Sequence, residues 1–154
     1  MPPALTAAER DLLGGARRAT LATIAADGRP RLVPICFVVI DDVVWTPIDE
    51  KRKVAPDVRQ LARIRDIGRD PRVSVLVDHW SEDWSELAWA RISGRAEVVD
   101  SDPTVVAALR AKYQQYTDHD LESRPMIRIE IESVRSWRAA DSPTDRDPSG
   151  RTVD

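Results

Sequence analysis

Residues 19 to 46, ATLATIAADGRPRLVPICFVVIDDVVWT, decide the fold of this chain of 154 residues. They contain three β-like runs that are separated by two short turns. Asp27 and Gly28 form the first turn, and this pair is the strongest short signal for a β-hairpin. Asp41 and Asp42 form the second turn. The three runs therefore predict an antiparallel meander.

The middle run of this meander extends from Pro30 to Val39. Neither Pro30 nor Pro34 can donate a backbone hydrogen bond, so we expect this strand to be partly an edge or to contain a bulge.

The rest of the chain predicts three more strands and three short helices. An apolar run at residues 73 to 77 indicates a strand buried on both faces, and Gly94 marks a bulge in a long strand. Strands are predicted at residues 73 to 77, 89 to 99 and 126 to 134, and helices near residues 6 to 15, 56 to 68 and 102 to 113. About six antiparallel strands with helices between them predict a mainly β fold, a small β-barrel with peripheral helices.

Composition excludes several classes of protein. The formal net charge of −3 disfavours nucleic-acid binding, and the single cysteine, Cys36, rules out an internal disulfide. No apolar run is long enough to span a membrane, so we expect no membrane partner and a cytoplasmic location. We expect one domain at residues 1 to 140, followed by a disordered tail at 141 to 154 that has almost no apolar side chain.

A basic turn is the most informative feature for function. Residues 46 to 53, TPIDEKRK, end a strand and place Lys51, Arg52 and Lys53 shortly before a predicted helix. Cations and a helix N-terminus together favour a phosphate group, and Arg29 and Arg31 on the neighbouring strand could reach it. Such a charge run is equally typical of a solvated turn.

Five of the eight aromatic residues are tryptophans. Trp80 and Trp84 fall in a loop, and the other three fall on or beside strands. A dimer seam or a stacking surface for a planar ring would explain exposed indoles. Core filling is the interpretation we favour for Trp45.

Few side chains are suited to acid–base catalysis. His79 and His119 are the only histidines, and neither has a partner at metal-ligand spacing, so we expect no metal. A His–Cys pair with Cys36 is disfavoured because buried cysteines are usually inert. With no catalytic residue evident, an anion site suits a cofactor that supplies the chemistry itself.

In order and spacing, a set of short motifs resembles the pyridoxamine-phosphate-oxidase-like split-barrel superfamily, and most closely its branch of F420-dependent enzymes. The motifs are ATLATI at 19 to 24, DGRPR at 27 to 31, KRK at 51 to 53, DPRVSVLVD at 70 to 78, DHWSEDW at 78 to 84, LAW at 87 to 89, ISGRA at 92 to 96 and SWR at 136 to 138.

This resemblance implies a six-stranded antiparallel split β-barrel, FMN-binding-like, that forms a homodimer with shared cofactor sites. The cofactor's phosphate would meet the basic turn, its ring would lie along the second and third strands, and the other subunit would close the site. The implied cofactor-binding residues are Arg31, Leu32, Val33, Thr46, Pro47, Ile48, Lys51, Arg52, Lys53, Trp89 and Trp137.

The chain departs from true pyridoxamine-phosphate oxidases. It lacks their strand with Arg followed by Leu-Leu-Lys and their later Ser-Arg-Lys, both associated with FMN. The resemblance therefore implies an F420-dependent oxidoreductase that transfers a hydride between the deazaflavin and a small organic acceptor. The alternatives are an FMN flavoprotein and a non-catalytic F420 or haem-type binding protein.

Overall fold

The computed structural model describes residues 4–48 and 61–141, which form one curled antiparallel sheet with three α-helices. The prediction of a mainly β fold with peripheral helices is confirmed. The elements are α1 (Ala7–Gly15), β1 (Ala19–Ile24), β2 (Pro30–Ile35), β3 (Val38–Ile40), β4 (Val43–Pro47), α2 (Ala62–Arg69), β5 (Arg72–His79), β6 (Ala88–Val99), α3 (Pro103–Lys112) and β7 (Met126–Arg138). The predicted tail lies outside the described residues except for Asp141.

The β1–β2 hairpin forms where the sequence predicts it. Gly28 has a φ of +84°, in the region that glycine occupies at no steric cost. The turn is closed by hydrogen bonds from the Ala25 N–H to the Arg29 carbonyl and from the Gly28 N–H to the Ala25 carbonyl, both 2.9 Å. These local bonds fix the register of β1 against β2, in which Leu21 lies opposite Val33.

The predicted middle strand divides in two, so the sheet has seven strands instead of six. Phe37 is fully buried, and its N–H donates to the hydroxyl of Tyr113 at 3.1 Å instead of to a strand. On one side of this break β2 pairs with β1, and on the other β3 pairs with β4.

The order of the sheet is β2-β1-β5-β6-β7-β4-β3, so two segments that adjoin in sequence lie at its opposite ends. The sheet must therefore curl until its edges approach each other, which is the geometry of a split barrel.

Two apolar clusters hold the described elements together. The larger fills the barrel with alternate side chains of its strands, among them Leu21, Val75 and Ile129. The smaller lies between α3 and the strands β3 and β7, and Trp45 packs against it half-buried, which confirms the core-filling interpretation of that indole.

The prediction that residues 73 to 77 are buried on both faces is wrong. Val75 and Val77 are fully buried, but Leu76 points outward and is 42% exposed. An apolar run does not distinguish a strand covered on both faces from one whose outer face is simply apolar.

The irregularity predicted at Gly94 is confirmed, because the β6–β7 register shifts between Ser93 and Gly94, but the extra residue is Glu132 of β7 and not a residue of β6. A β-carbon at Gly94 would overlap the backbone carbonyl of Glu130. Glycine is therefore required here by the close approach of two strands, and its conformation plays no part.

Local capping places α1 and α3 as predicted. Thr6 and Glu9 form a reciprocal capping box at α1, and Asp102 accepts hydrogen bonds from the first turn of α3, which opens with Pro103. Of the second predicted helix, residues 62 to 69 form α2, and its predicted start near residue 56 lies outside the described residues. None of the described helices combines the length and the apolar character that crossing a bilayer would take.

Candidate anion and cofactor site

Strand β2 divides the predicted site residues between two faces of the sheet. Arg31 and Val33 pair with Thr23 and Leu21, whose side chains point into the barrel. Leu32 faces the opposite way and is 66% exposed. A single flat ligand on one face of β2 therefore cannot contact all three predicted side chains.

A buried carboxylate fixes the position of Arg31. Asp66 on α2 is only 3% exposed, and it accepts a hydrogen bond of 2.7 Å from the Arg31 Nε. The hydroxyl of Thr23 donates to it at 2.7 Å and a terminal nitrogen of Arg69 at 2.9 Å. One carboxylate thus joins β1, β2 and α2.

The hydrogen bonds decide the charge state of Asp66. Burial by itself would raise the pKa of this carboxyl, but the donors Arg31, Thr23 and Arg69 outweigh burial and hold the pKa below its usual range. Asp66 is therefore ionised at neutral pH. Two guanidinium groups share one carboxylate, so the cluster keeps one net positive charge.

Arg31 retains hydrogen-bonding capacity toward solvent. Its side chain is 44% exposed, and its two terminal nitrogens donate to no group among the described residues. It borders a cleft of about 440 Å³ at the tip of the β1–β2 hairpin, which Arg29 also lines. An arginine held at Nε with its terminal edge available suits an anion such as a phosphate oxygen.

At the end of β4, the side chains are buried, so a ligand could contact mainly the backbone. Thr46 is 2% exposed and Ile48 is 1% exposed, and Pro47 is buried beside Met126 of β7. A ring laid along this strand end would therefore meet main-chain atoms. The chain continues from here into the basic turn, but Lys51, Arg52 and Lys53 lie outside the described residues.

The remaining two predicted site residues lie together on the outer face. Trp89 of β6 and Trp137 of β7 are directly opposite each other in the ladder, and Trp137 is 40% exposed. β6 lies three strands from β2, which is about 14 Å at a strand spacing near 4.8 Å. A ring that rests on Leu32 therefore cannot be covered by these indoles of the same chain.

The other candidate groups lie in two separate places. His79 lies at the end of β5, whereas His119 and Cys36 line a cavity of about 320 Å³ beside Tyr113 and Tyr116. His119 Nδ1 is buried without a hydrogen bond. Within residues 4–48 and 61–141, no three His, Cys, Asp or Glu side chains come together as metal ligands would.

Sequence reasoning missed Asp66, Thr23 and Arg69. The available signal was the place of Asp66 beside Ile67 and two residues after Ile64, both of which are core positions of α2. A charged residue within a buried helical face requires partners, and two of the three partners are arginines.

Comparisons with known proteins agree with the fold. The family described as pyridoxamine 5′-phosphate oxidase matches residues 5–138. A conserved hypothetical protein of Mycobacterium tuberculosis is 25% identical, with 88% of this chain and 86% of that chain covered and a TM-score of 0.69.

Two further solved structures share the fold. An F420 reductase is 20% identical, with 85% of this chain and 98% of that chain covered and a TM-score of 0.62. The haem storage protein HutZ of Vibrio cholerae is 16% identical, with 83% of this chain and 89% of that chain covered and a TM-score of 0.60. No curated protein sequence matches the chain.

Proposed function

Because this chain belongs to the pyridoxamine 5′-phosphate oxidase family, we propose that it is a homodimeric oxidoreductase that uses the deazaflavin F420. It transfers a hydride between that cofactor and a small organic acceptor. The observation that carries the proposal is the anchored Arg31, whose terminal nitrogens are available for an anion.

Arg31 fits the tail of F420. That tail contains a phosphodiester and a glutamate, so it needs several separated cations. Arg29 and Arg31 border the same cleft, and Lys51, Arg52 and Lys53 follow shortly after β4. FMN ends in one phosphate and needs fewer cations. The similarity to an F420 reductase supports the same choice of cofactor.

The outer face of the sheet supports a dimer. Leu76 and Asp78 are two residues apart on β5 and so share a face, and Asp78 lies opposite Trp89. Leu76 and Trp137 are large, apolar and exposed on this face, and Leu32 belongs to it through its partner Ala22. Exposed apolar faces of this kind mark interfaces. In a homodimer, Trp89 and Trp137 of one subunit would cover a ring held at β2 of the other.

The chain's part in the reaction is binding and orientation. Bound F420 supplies a hydride from a ring carbon, which no side chain of this protein can supply. Arg31 fixes the tail, Leu32 offers an apolar support, and the tryptophans exclude water from the ring. Holding the acceptor near the ring then accounts for the rate.

The test is to titrate the purified protein with F420, FMN and FAD in turn and to measure the affinity for each cofactor from the change in fluorescence. We expect F420 to bind most tightly, and its affinity to fall as salt rises, since the contacts to its tail are ionic. Turnover of an added acceptor distinguishes an enzyme from a non-catalytic binding protein. FMN that copurifies stoichiometrically and resists displacement by F420 would refute the deazaflavin assignment.

The basic turn gives a second test. Lys53→Ala should lower the affinity for F420 by about tenfold or more, because a charge-assisted contact contributes roughly 1.5–3 kcal/mol to binding. No effect of this substitution would indicate that the turn is only solvated.

A further inference from the structure

Asp66 differs from the other carboxylates that pair with arginine among the described residues. Its partners come from three elements, and it is nearly inaccessible to solvent. Asp70, in contrast, forms an ion pair with one described arginine, Arg72, which lies two residues away at the surface. A buried carboxylate with donors from β1, β2 and α2 holds those elements in one arrangement.

The geometry of Arg31 depends on this carboxylate. Asp66 accepts the hydrogen bond of the Arg31 Nε–H, and the terminal nitrogens donate to no group among the described residues. Guanidinium groups are planar, so fixing one edge also fixes the direction of the others. An arginine that is already ordered loses less side-chain entropy when an anion binds.

We propose that Asp66 is a positioning residue, which holds Arg31 so that its terminal nitrogens donate hydrogen bonds to a phosphodiester oxygen of the cofactor tail. This inference rests on the proposed function, because it assumes that Arg31 contacts the tail. Asp66 itself does not touch the cofactor. Its effect passes through the orientation of one side chain.

Arg31→Lys separates position from charge. Lysine keeps the positive charge but has a single nitrogen, which the ionised Asp66 would take. If Asp66 acts by positioning, Arg31→Lys should weaken F420 as much as Arg31→Gln does, by about tenfold. If only the charge matters, Arg31→Lys should bind F420 like the wild type, and the inference is overturned. The partly exposed Arg31 side chain makes both variants suitable even if changes at Asp66 impair folding.

Asp66→Asn tests the carboxylate directly. The amide has nearly the same shape but no charge to hold Nε, so we expect about tenfold weaker F420 binding. The same deazaflavin without its phosphodiester tail should bind to wild type and variant equally, which a general loss of structure would not allow. Asp70→Asn is the matched control and should leave both affinities unchanged. Equal loss for both ligands, or no loss for F420, would overturn the positioning role.

The proposed function fails by a different result. If Arg31→Gln binds F420 as tightly as the wild type, Arg31 does not contact the tail, and the anion site is misplaced. If Arg31→Gln weakens F420 but Arg31→Lys and Asp66→Asn do not, the site stands and only the role of Asp66 is wrong.

Discussion

The Asp66 end of the barrel and the outer face around Leu76 are built in opposite ways. At Asp66, two arginines and a threonine satisfy one buried carboxylate within a single chain. On the outer face, Leu76 and Trp137 remain exposed and no described residue covers them. The first region is complete within one chain, whereas the second leaves apolar side chains exposed, and in the proposed dimer a partner subunit would cover them. The binding of a ligand that touches both regions would therefore depend on a cluster formed within one chain and on the outer face that the two subunits of the proposed dimer share.

Removing the carboxylate should have the largest effect on stability. Asp66→Ala leaves two guanidinium groups and a hydroxyl without their shared acceptor. We expect the free energy of unfolding to fall by about 2–3 kcal/mol, which is low for a broken buried ion pair because both arginine side chains are about half exposed to solvent. The measurement is the free energy of unfolding in urea. Asp70→Ala should lose far less, since Asp70 pairs with one arginine at the surface. Equal losses would show that Asp66 is no more than a surface ion pair.

A charge on the outer face should separate the subunits. Leu76→Asp places a carboxylate in the proposed seam, and we expect the mass in solution to fall from about twice 17.3 kDa to the mass of one chain. Val98→Asp is the control, because Val98 is exposed to a similar extent but lies beyond the register shift between β6 and β7 at Gly94. A wild-type protein that is monomeric at micromolar concentration would refute the shared surface itself.

The two regions should also differ in how substitutions there change the pH dependence of stability. The pKa of Asp66 is lower in the folded protein than its ordinary value of 3.8, so its contribution is present above that pH. It is lost as the pH falls through the folded pKa. Asp66→Asn should therefore lose less stability than the wild type between neutral pH and pH 3, whereas Leu76→Asn should follow the wild type. Parallel acid unfolding curves for wild type and Asp66→Asn would contradict this.

The C-terminal tail should have the smallest effect. Deleting residues 141 to 154 removes almost no apolar side chain, and we expect the free energy of unfolding to change by no more than about 0.5 kcal/mol. Affinity for F420 should also be unchanged. Weaker binding after truncation would show that the tail covers one of the two regions.

Local signals predicted most of the fold. Asp27 and Gly28 make their turn, and Thr6 and Asp102 begin their helices, because each acts through neighbours within a few residues. The division between β2 and β3 was missed because it depends on Tyr113, 76 residues from Phe37. No pattern near Phe37 indicates that contact.

The site was less predictable than the fold. Sequence reasoning selected Arg31 as a strand cation within reach of the basic turn, but it did not select Asp66, whose partners Arg31 and Thr23 are 35 and 43 residues away. It also grouped Arg31 with Leu32, although adjacent residues of a strand face opposite ways. Apolar character alone did not show that Leu76 faces outward.

A crystal structure of the protein with F420 tests the central claim most directly. We expect the phosphodiester within hydrogen-bond distance of the Arg31 terminal nitrogens, with Nε still bound to Asp66. We also expect the deazaflavin ring between β2 of one subunit and the partner's Trp89 and Trp137. F420 bound with its tail away from Arg31, or a ring enclosed by one chain alone, would contradict the claim.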